Sequence, residues 1–209
     1  MKQYIFVIDC DRCIGCKGCQ IACKLENAIS LGQGRNKVCT IGPNGTFPDL
    51  EMYFMPAMCQ QCEGSVCTAA CPTGACFKDE ADGIIKIDRS KCIACGKCKT
   101  ACPYDCISLN SHDGFADKCD LCAAKTDKGE APACVKNCSA GALFFGDIND
   151  SESEVSKLLS RTADEHIHTL RDYGNAPRVR YILRRGTWHD ILPQDCIEHS
   201  VWKKGGRKA

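Results

Sequence analysis

Apolar residues along this chain fall in short runs, each broken by a cluster of cysteine, glycine or proline. Gln3-Tyr4-Ile5-Phe6-Val7-Ile8-Asp9 is rich in β-branched and aromatic residues and predicts a strand. Gly83-Ile84-Ile85-Lys86-Ile87-Asp88 predicts a second, and Ala142-Leu143-Phe144-Phe145-Gly146-Asp147 a third. Residues 178–183 predict one more. Helical periodicity is scarce. Ser151 and Glu154 have capping-box spacing, which predicts a helix running to about Arg161. Residues 27–56 carry Gly32, Gly34, Gly42, Pro43, Gly45 and Pro48, and read as a loop-rich insertion. The basic, Gly-rich end, residues 203–208, reads as a solvated tail, with a docking arm as the sharper alternative.

No apolar run approaches membrane-spanning length. The start, residues 1–9, is too short, and too soon followed by cysteines, to read as a signal peptide. The expectation is a chain with no signal or transmembrane segment of its own. It is either cytoplasmic or carried to the extracytoplasmic face by a partner.

The 209 residues suggest one or two domains. The hydrophobic fraction of 44% includes 21 cysteines, so the aliphatic and aromatic content is thin. Bound metal can supply the missing cohesion, and the metal-free chain is expected to be largely unfolded. A formal net charge of +1 gives no polyanion-binding signal and no case for nucleic acid. A disulfide framework is disfavoured, because the chain is long, the cysteine number is odd and most cysteines are clustered.

Four cysteine groups stand out: Cys13-x2-Cys16-x2-Cys19-x3-Cys23, Cys59-x2-Cys62-x4-Cys67-x3-Cys71, Cys92-x2-Cys95-x2-Cys98-x3-Cys102 and Cys119-x2-Cys122-x11-Cys134-x3-Cys138. A [4Fe–4S] cube needs one thiolate per iron. A short loop can wrap three corners and aim backbone N–H groups at the sulfurs, but the fourth corner is out of its reach. In two-cluster ferredoxins the fourth cysteine of each run serves the other cluster, so such groups come in pairs. Structural zinc prefers two C-x2-C knuckles across a longer spacer and explains three cysteines in tandem poorly. Cys10, Cys39, Cys76, Cys106 and Cys196 are left over and read as small buried hydrophobes, against spare ligands or redox switches. The five histidines (His112, His166, His168, His189, His199) fall outside these groups and read as ordinary. There is no nucleophile elbow, P-loop or dinucleotide fingerprint, and hence no candidate catalytic residue.

The order and spacing of the groups resemble the four-cluster iron–sulfur subunit of the dimethyl sulfoxide reductase family of molybdopterin oxidoreductases. The most specific phrases are Arg12-Cys13-Ile14-Gly15-Cys16, Cys71-Pro72-Thr73-Gly74-Ala75 and Lys118-Cys119-Asp120-Leu121-Cys122. Gly129, Pro132 and Cys134-Val135 also match, and Asn175-Ala176-Pro177-Arg178-Val179-Arg180-Tyr181-Ile182 is a weaker echo. The resemblance implies an α+β, nested double ferredoxin-like fold. Residues 1–26 and 112–148 would form an outer unit, and 57–111 an inserted one. Residues 27–56 would be an insertion and 149–209 a C-terminal docking extension.

The implied ligands are Cys13, Cys16, Cys19 and Cys138 for the first cluster, and Cys119, Cys122, Cys134 and Cys23 for the second. They are Cys59, Cys62, Cys67 and Cys102 for the third, and Cys92, Cys95, Cys98 and Cys71 for the fourth. The implied function is electron transfer, without catalysis, through four [4Fe–4S] clusters. The partners would be a large molybdopterin-containing catalytic subunit near the first cluster and a membrane quinol module or soluble redox partner near the last. An iron–sulfur subunit of a hydrogenase or formate-linked complex, or a free polyferredoxin, is the alternative. The chain departs from the family at Ser65-Val66 and Ser139, where proline is usual; neither change removes a ligand.

Overall fold

The N-terminal apolar run becomes the most enclosed strand of the protein in a computed structural model that describes residues 2–110 and 114–196. In chain order the elements are β1 (Tyr4–Asp9), α1 (Gly18–Glu26), β2 (Asn36–Thr46), β3 (Asp49–Met58), α2 (Val66–Ala69), β4 (Cys76–Lys78), β5 (Ile85–Ile87) and α3 (Lys97–Ala101). They continue with β6 (Ile107–Asn110), β7 (Phe115–Lys118), α4 (Ala123–Thr126), α5 (Ala133–Lys136), β8 (Leu143–Asp147), α6 (Glu154–Ser160), β9 (Ile167–His168) and β10 (Arg180–Ile182). This is a mixed α+β fold of short elements, with three predicted strands lying inside their expected spans at β1, β5 and β8 and a fourth at β10.

β1 is central because both its faces are apolar. Phe6 and Ile8 point into the main core, while Ile5 and Val7 pack with Val155 and Leu158 of α6. Val7 and Ile8 have no exposed surface, and burying each such side chain stabilises the fold by about 1.5–3 kcal/mol. The sheet order is β8-β1-β10-β9, with β1 antiparallel to β8 and parallel to β10. Elements bearing the first and fourth cysteine groups therefore meet: α1 packs on α5, and β1 pairs with β8. Likewise α2 packs on α3, between the second and third groups. The two-stranded pairs β4–β5 and β6–β7 flank that contact.

Three expectations are corrected. Residues 27–56 are not mainly loop, because β2 and β3 form a long antiparallel hairpin. Cys39 and Ile41 on β2, and Tyr53, Met55 and Ala57 on β3, alternate into the core. Gly42 and Pro43 sit instead at a bulge, where the register shifts between Ile41 and Asn44. Gly45 and Pro48 flank the tip. The helix after β8 is capped by Ser153, whose Oγ accepts from the Ser156 N–H at 3.2 Å, and not by Ser151. Cys39 and Cys196 are not separate small hydrophobes; they are joined by a disulfide between β2 and the last described turn. Spacing along the sequence could not pair residues 157 positions apart. Residues 203–208, His112 and His199 lie outside the described residues.

The Cys39–Cys196 bond closes a very long loop and contributes about 2–4 kcal/mol. In protein stripped of iron and denatured without reductant, every cysteine except these two should alkylate. Mass spectrometry checks this, with both becoming reactive after reduction.

Candidate metal centres

The four cysteine groups share a backbone device. The residue just before the second cysteine is left-handed in each: Gly15 (φ 66°), Gln61 (φ 47°), Ala94 (φ 53°) and Leu121 (φ 56°). Left-handed turns present successive N–H groups to a common centre and form anion-binding concavities. Three of the four are not glycine, and such residues cost about 1–3 kcal/mol each unless their surroundings hold them. At Gly15 a side chain is also sterically barred, since a Cβ there would stand 2.6 Å from the Phe54 ring. The third cysteine of each group is then the second residue of a helix: Cys19 in α1, Cys67 in α2, Cys98 in α3 and Cys134 in α5. The fourth follows one helical turn later and is carried away from its own loop.

Packing decides where that fourth cysteine lands. Cys13, Cys16 and Cys19 line a cavity with Cys138. Cys119, Cys122 and Cys134 line a second with Cys23. Cys92, Cys95 and Cys98 line a third with Cys71. Cys59, Cys62, Cys67 and Cys102 act on one another electrostatically: burial pushes the Cys62 thiol up to about 12, and Cys59, Cys102 and Cys67 add to the rise. In each set three sulfurs come from one group and the fourth from another. Among the described residues, no cluster of His, Cys, Asp or Glu is drawn in to the spacing of a single metal ion. In three of the sets the sulfurs ring a cavity instead, and four thiols around a cavity fit a [4Fe–4S] cube.

Donors already point at the sulfurs. The N–H groups of Cys76, Ala116 and Ala142 each donate at 3.3 Å, to Cys71, Cys92 and Cys138. Asn175 Nδ2 donates to Cys62 Sγ at 2.9 Å, and Asn27 Nδ2 to Cys23 Sγ at 3.6 Å. Burial opposes thiolates, pushing Cys19 up to about 12 and Cys23 up to about 11. Three ligand-group thiols move the other way, among them Cys71, where burial is outweighed by hydrogen bonds from the Cys76 N–H and from Thr73. The Cys76 thiol hydrogen-bonds Cys67 and brings it down to about 7, and the Cys106 thiol does the same to Cys102, down to about 6. Holding the remaining buried thiolates requires a bound cation, so metal binding releases protons and stabilises the fold.

The sets adjoin in series. After burial and its own partners, the Cys134 thiol also feels Cys19. Cys119 feels Cys59 in the same way, and Cys98 feels Cys67.

Residues 50–148 and 12–75 each match a family of 4Fe-4S dicluster domains. A sulfite dehydrogenase subunit of Allochromatium vinosum is 32% identical over 98% of this chain and 93% of its own length. The thiosulfate reductase electron transfer subunit PhsB of Salmonella typhi is 41% identical over 72% of this chain and 79% of its own length. A tetrathionate reductase subunit of Salmonella typhimurium is 34% identical, covering 86% and 72%. The chain belongs to the iron–sulfur subunits of the dimethyl sulfoxide reductase family. As an iron–sulfur subunit it carries electrons through [4Fe–4S] clusters and is not the catalytic partner. No helix among the described residues is long and apolar enough to cross a membrane.

Several functional neighbours of this iron–sulfur subunit were not singled out in the sequence. Cys76 and Cys106 read there as inert, yet each touches a cysteine of the third set. Asn175 lies more than a hundred residues from Cys62 and is wholly buried; its one sequence signal was the Asn175-Ala176-Pro177 phrase. Arg35 is buried and forks onto Asp117, with both bonds at 2.8 Å, while its third nitrogen reaches Asn27 and Asp120. It thereby braces the residue that donates to Cys23.

A donor to a ligand sulfur favours the reduced, more negative cluster. Asn175→Ala should leave iron content intact and disfavour reduction of one cluster by roughly 0.5–1.5 kcal/mol, the net worth of one hydrogen bond. A potentiometric titration followed by electron paramagnetic resonance checks this; unchanged potentials in an iron-replete variant would refute it.

Proposed function

We propose that this subunit holds four [4Fe–4S] clusters in series and relays electrons between a large molybdopterin-containing catalytic subunit and a second redox partner. The reading is carried by the cavities that three of the cysteine triplets share with the fourth cysteine of another group. Cys13, Cys16, Cys19 and Cys138 would hold the first cluster, and Cys119, Cys122, Cys134 and Cys23 the second. Cys59, Cys62, Cys67 and Cys102 would hold the third, and Cys92, Cys95, Cys98 and Cys71 the fourth. When bound, such clusters supply one-electron carriers. The electrostatic interactions of Cys19 with Cys134, Cys119 with Cys59, and Cys67 with Cys98 support a linear order.

The same pairing supports a nested double ferredoxin arrangement, with residues 57–111 as a unit inserted between 1–26 and 112–148. The two ends differ from the middle in exposure, in a way that suits docking. Cys16 at one end and Cys95 at the other are exposed. Exposed apolar side chains stand next to both, Ile14 (61%) near Cys16 and Ile93 (63%) near Cys95. The relatives named for the reduction of sulfur oxyanions support a catalytic partner acting on a small oxidised substrate. A quinol-interacting membrane protein or a soluble redox protein would occupy the other end. The hairpin β2–β3 and residues 149–209 are the proposed grips. The Cys39–Cys196 disulfide supports the extracytoplasmic face over the cytoplasm, because such bonds persist in oxidising compartments.

Anaerobically purified protein should contain about sixteen irons and as many acid-labile sulfides per chain. It should co-purify from its native host with a molybdenum-containing subunit, and alone it should turn over no substrate. Iron near four or eight per chain, or recovery with no molybdenum subunit, would sink the proposal.

A further inference from the structure

Lys118 ends β7, immediately before Cys119, and is almost fully enclosed, with 3% of its surface exposed. Burying an ammonium is costly unless something nearby compensates its charge. The nearest candidates on its own segment are already engaged. Asp117 is paired with Arg35 and Arg89, and Asp120 with Arg35. Among the described residues, no carboxylate forms an ion pair with Lys118. Its Nζ donates instead to two backbone carbonyls, Ile85 O and Cys119 O, the latter at 3.0 Å.

The ammonium sits among sulfurs: Cys119 follows it in the chain and lends it a carbonyl, and its other carbonyl partner, Ile85, packs in one apolar cluster with Cys67 and Cys76. Cys119 lines the cavity shared with Cys23, Cys122 and Cys134. Cys59 and Cys67 belong to the set completed by Cys62 and Cys102. Lys118 therefore occupies the boundary between two cysteine sets. Gln61 fixes it there by gripping the same two backbone positions: its Nε2 donates to Cys119 O at 3.0 Å, and its Oε1 accepts from Ile85 N at 2.8 Å.

We propose that Lys118 is a positioning residue for electron transfer, whose buried charge makes reduction easier at both clusters flanking it, the second and the third. This rests on the ligand sets proposed above. In a low-dielectric interior, a fixed positive charge stabilises a nearby added electron far more than it would in water. One ammonium between two clusters favours the electron on either side, so the step across the junction of the two ferredoxin units stays close to level. Clusters one and four, beyond the sulfurs that Lys118 faces, should feel it less.

The test uses the intact complex. Lys118→Met removes the charge and keeps the length. Lys118→Gln removes the charge and keeps a donor for the two carbonyls. Lys118→Arg keeps the charge. Iron and sulfide are counted first, and each cluster is then titrated by electron paramagnetic resonance at controlled potential. The proposal expects the Met and Gln variants to remain loaded, and two of the four potentials to fall. The reduced-to-oxidised ratio at a fixed potential should drop at least about tenfold at those two clusters, which is ~59 mV for a one-electron couple. The Arg variant should return both toward the parent value. Unchanged potentials, or an equal shift of all four, would overturn it. Loss of iron from both the Met and the Gln variant would assign Lys118 a role in assembly and also overturn it. Failure of the underlying ligand sets would show separately, in the unsubstituted complex, as an iron count that four clusters cannot explain.

Discussion

A loop that wraps three corners of an iron–sulfur cube cannot also reach the fourth. That constraint organises this protein. Three of the four cysteine triplets share a cavity with a sulfur that belongs, in sequence, to a different group, and the proposed ligation extends that crossing to all four. Cys138 meets the loop of Cys13–Cys19, and Cys23 meets Cys119, Cys122 and Cys134. Cys71 meets the loop of Cys92–Cys98. For the sulfurs to meet, α1 must pack on α5, α2 on α3, and β1 must pair with β8. The sheet and the helix pairs are thus the scaffold of the proposed crossed ligation, and the thin apolar core is what remains between the sulfur-lined cavities.

The same constraint explains the backbone. Left-handed residues before the second cysteine, three of them not glycine, are unfavourable alone. They turn N–H groups toward the sulfurs, where a bound anionic cluster would be stabilised. Burial of ligand thiols acts in the same sense, since it penalises the metal-free thiolate state. The structure invests local strain and desolvation in a fold that only the loaded state relieves.

How much of this was legible in the sequence follows from the range of each interaction. The cysteine spacings are local, and so were visible, as were the strands at β1, β5 and β8 with their dense apolar runs. The β2–β3 hairpin was obscured because Gly42, Pro43, Gly45 and Pro48 mark a bulge and a tip in the same symbols that mark loops. Asn175 on Cys62, Lys118 between two cysteine sets, and Cys39 bonded to Cys196 are products of tertiary proximity; the first two fall in phrases that resemble the family, but no local pattern announces what they touch. Cys76 and Cys106 illustrate the point most sharply. As leftover cysteines they look inert, and only the fold shows them lowering the thiols of Cys67 and Cys102.

The central claim is therefore the crossed ligation, and it can be seen directly. Anomalous diffraction at the iron edge from anaerobically grown crystals of the loaded complex would locate every cluster and its protein ligands. The account predicts four cubes in a line, with Cys23 bonded to the cluster of Cys119, Cys122 and Cys134. Cys23 bonded to the same cube as Cys13, Cys16 and Cys19 would contradict it.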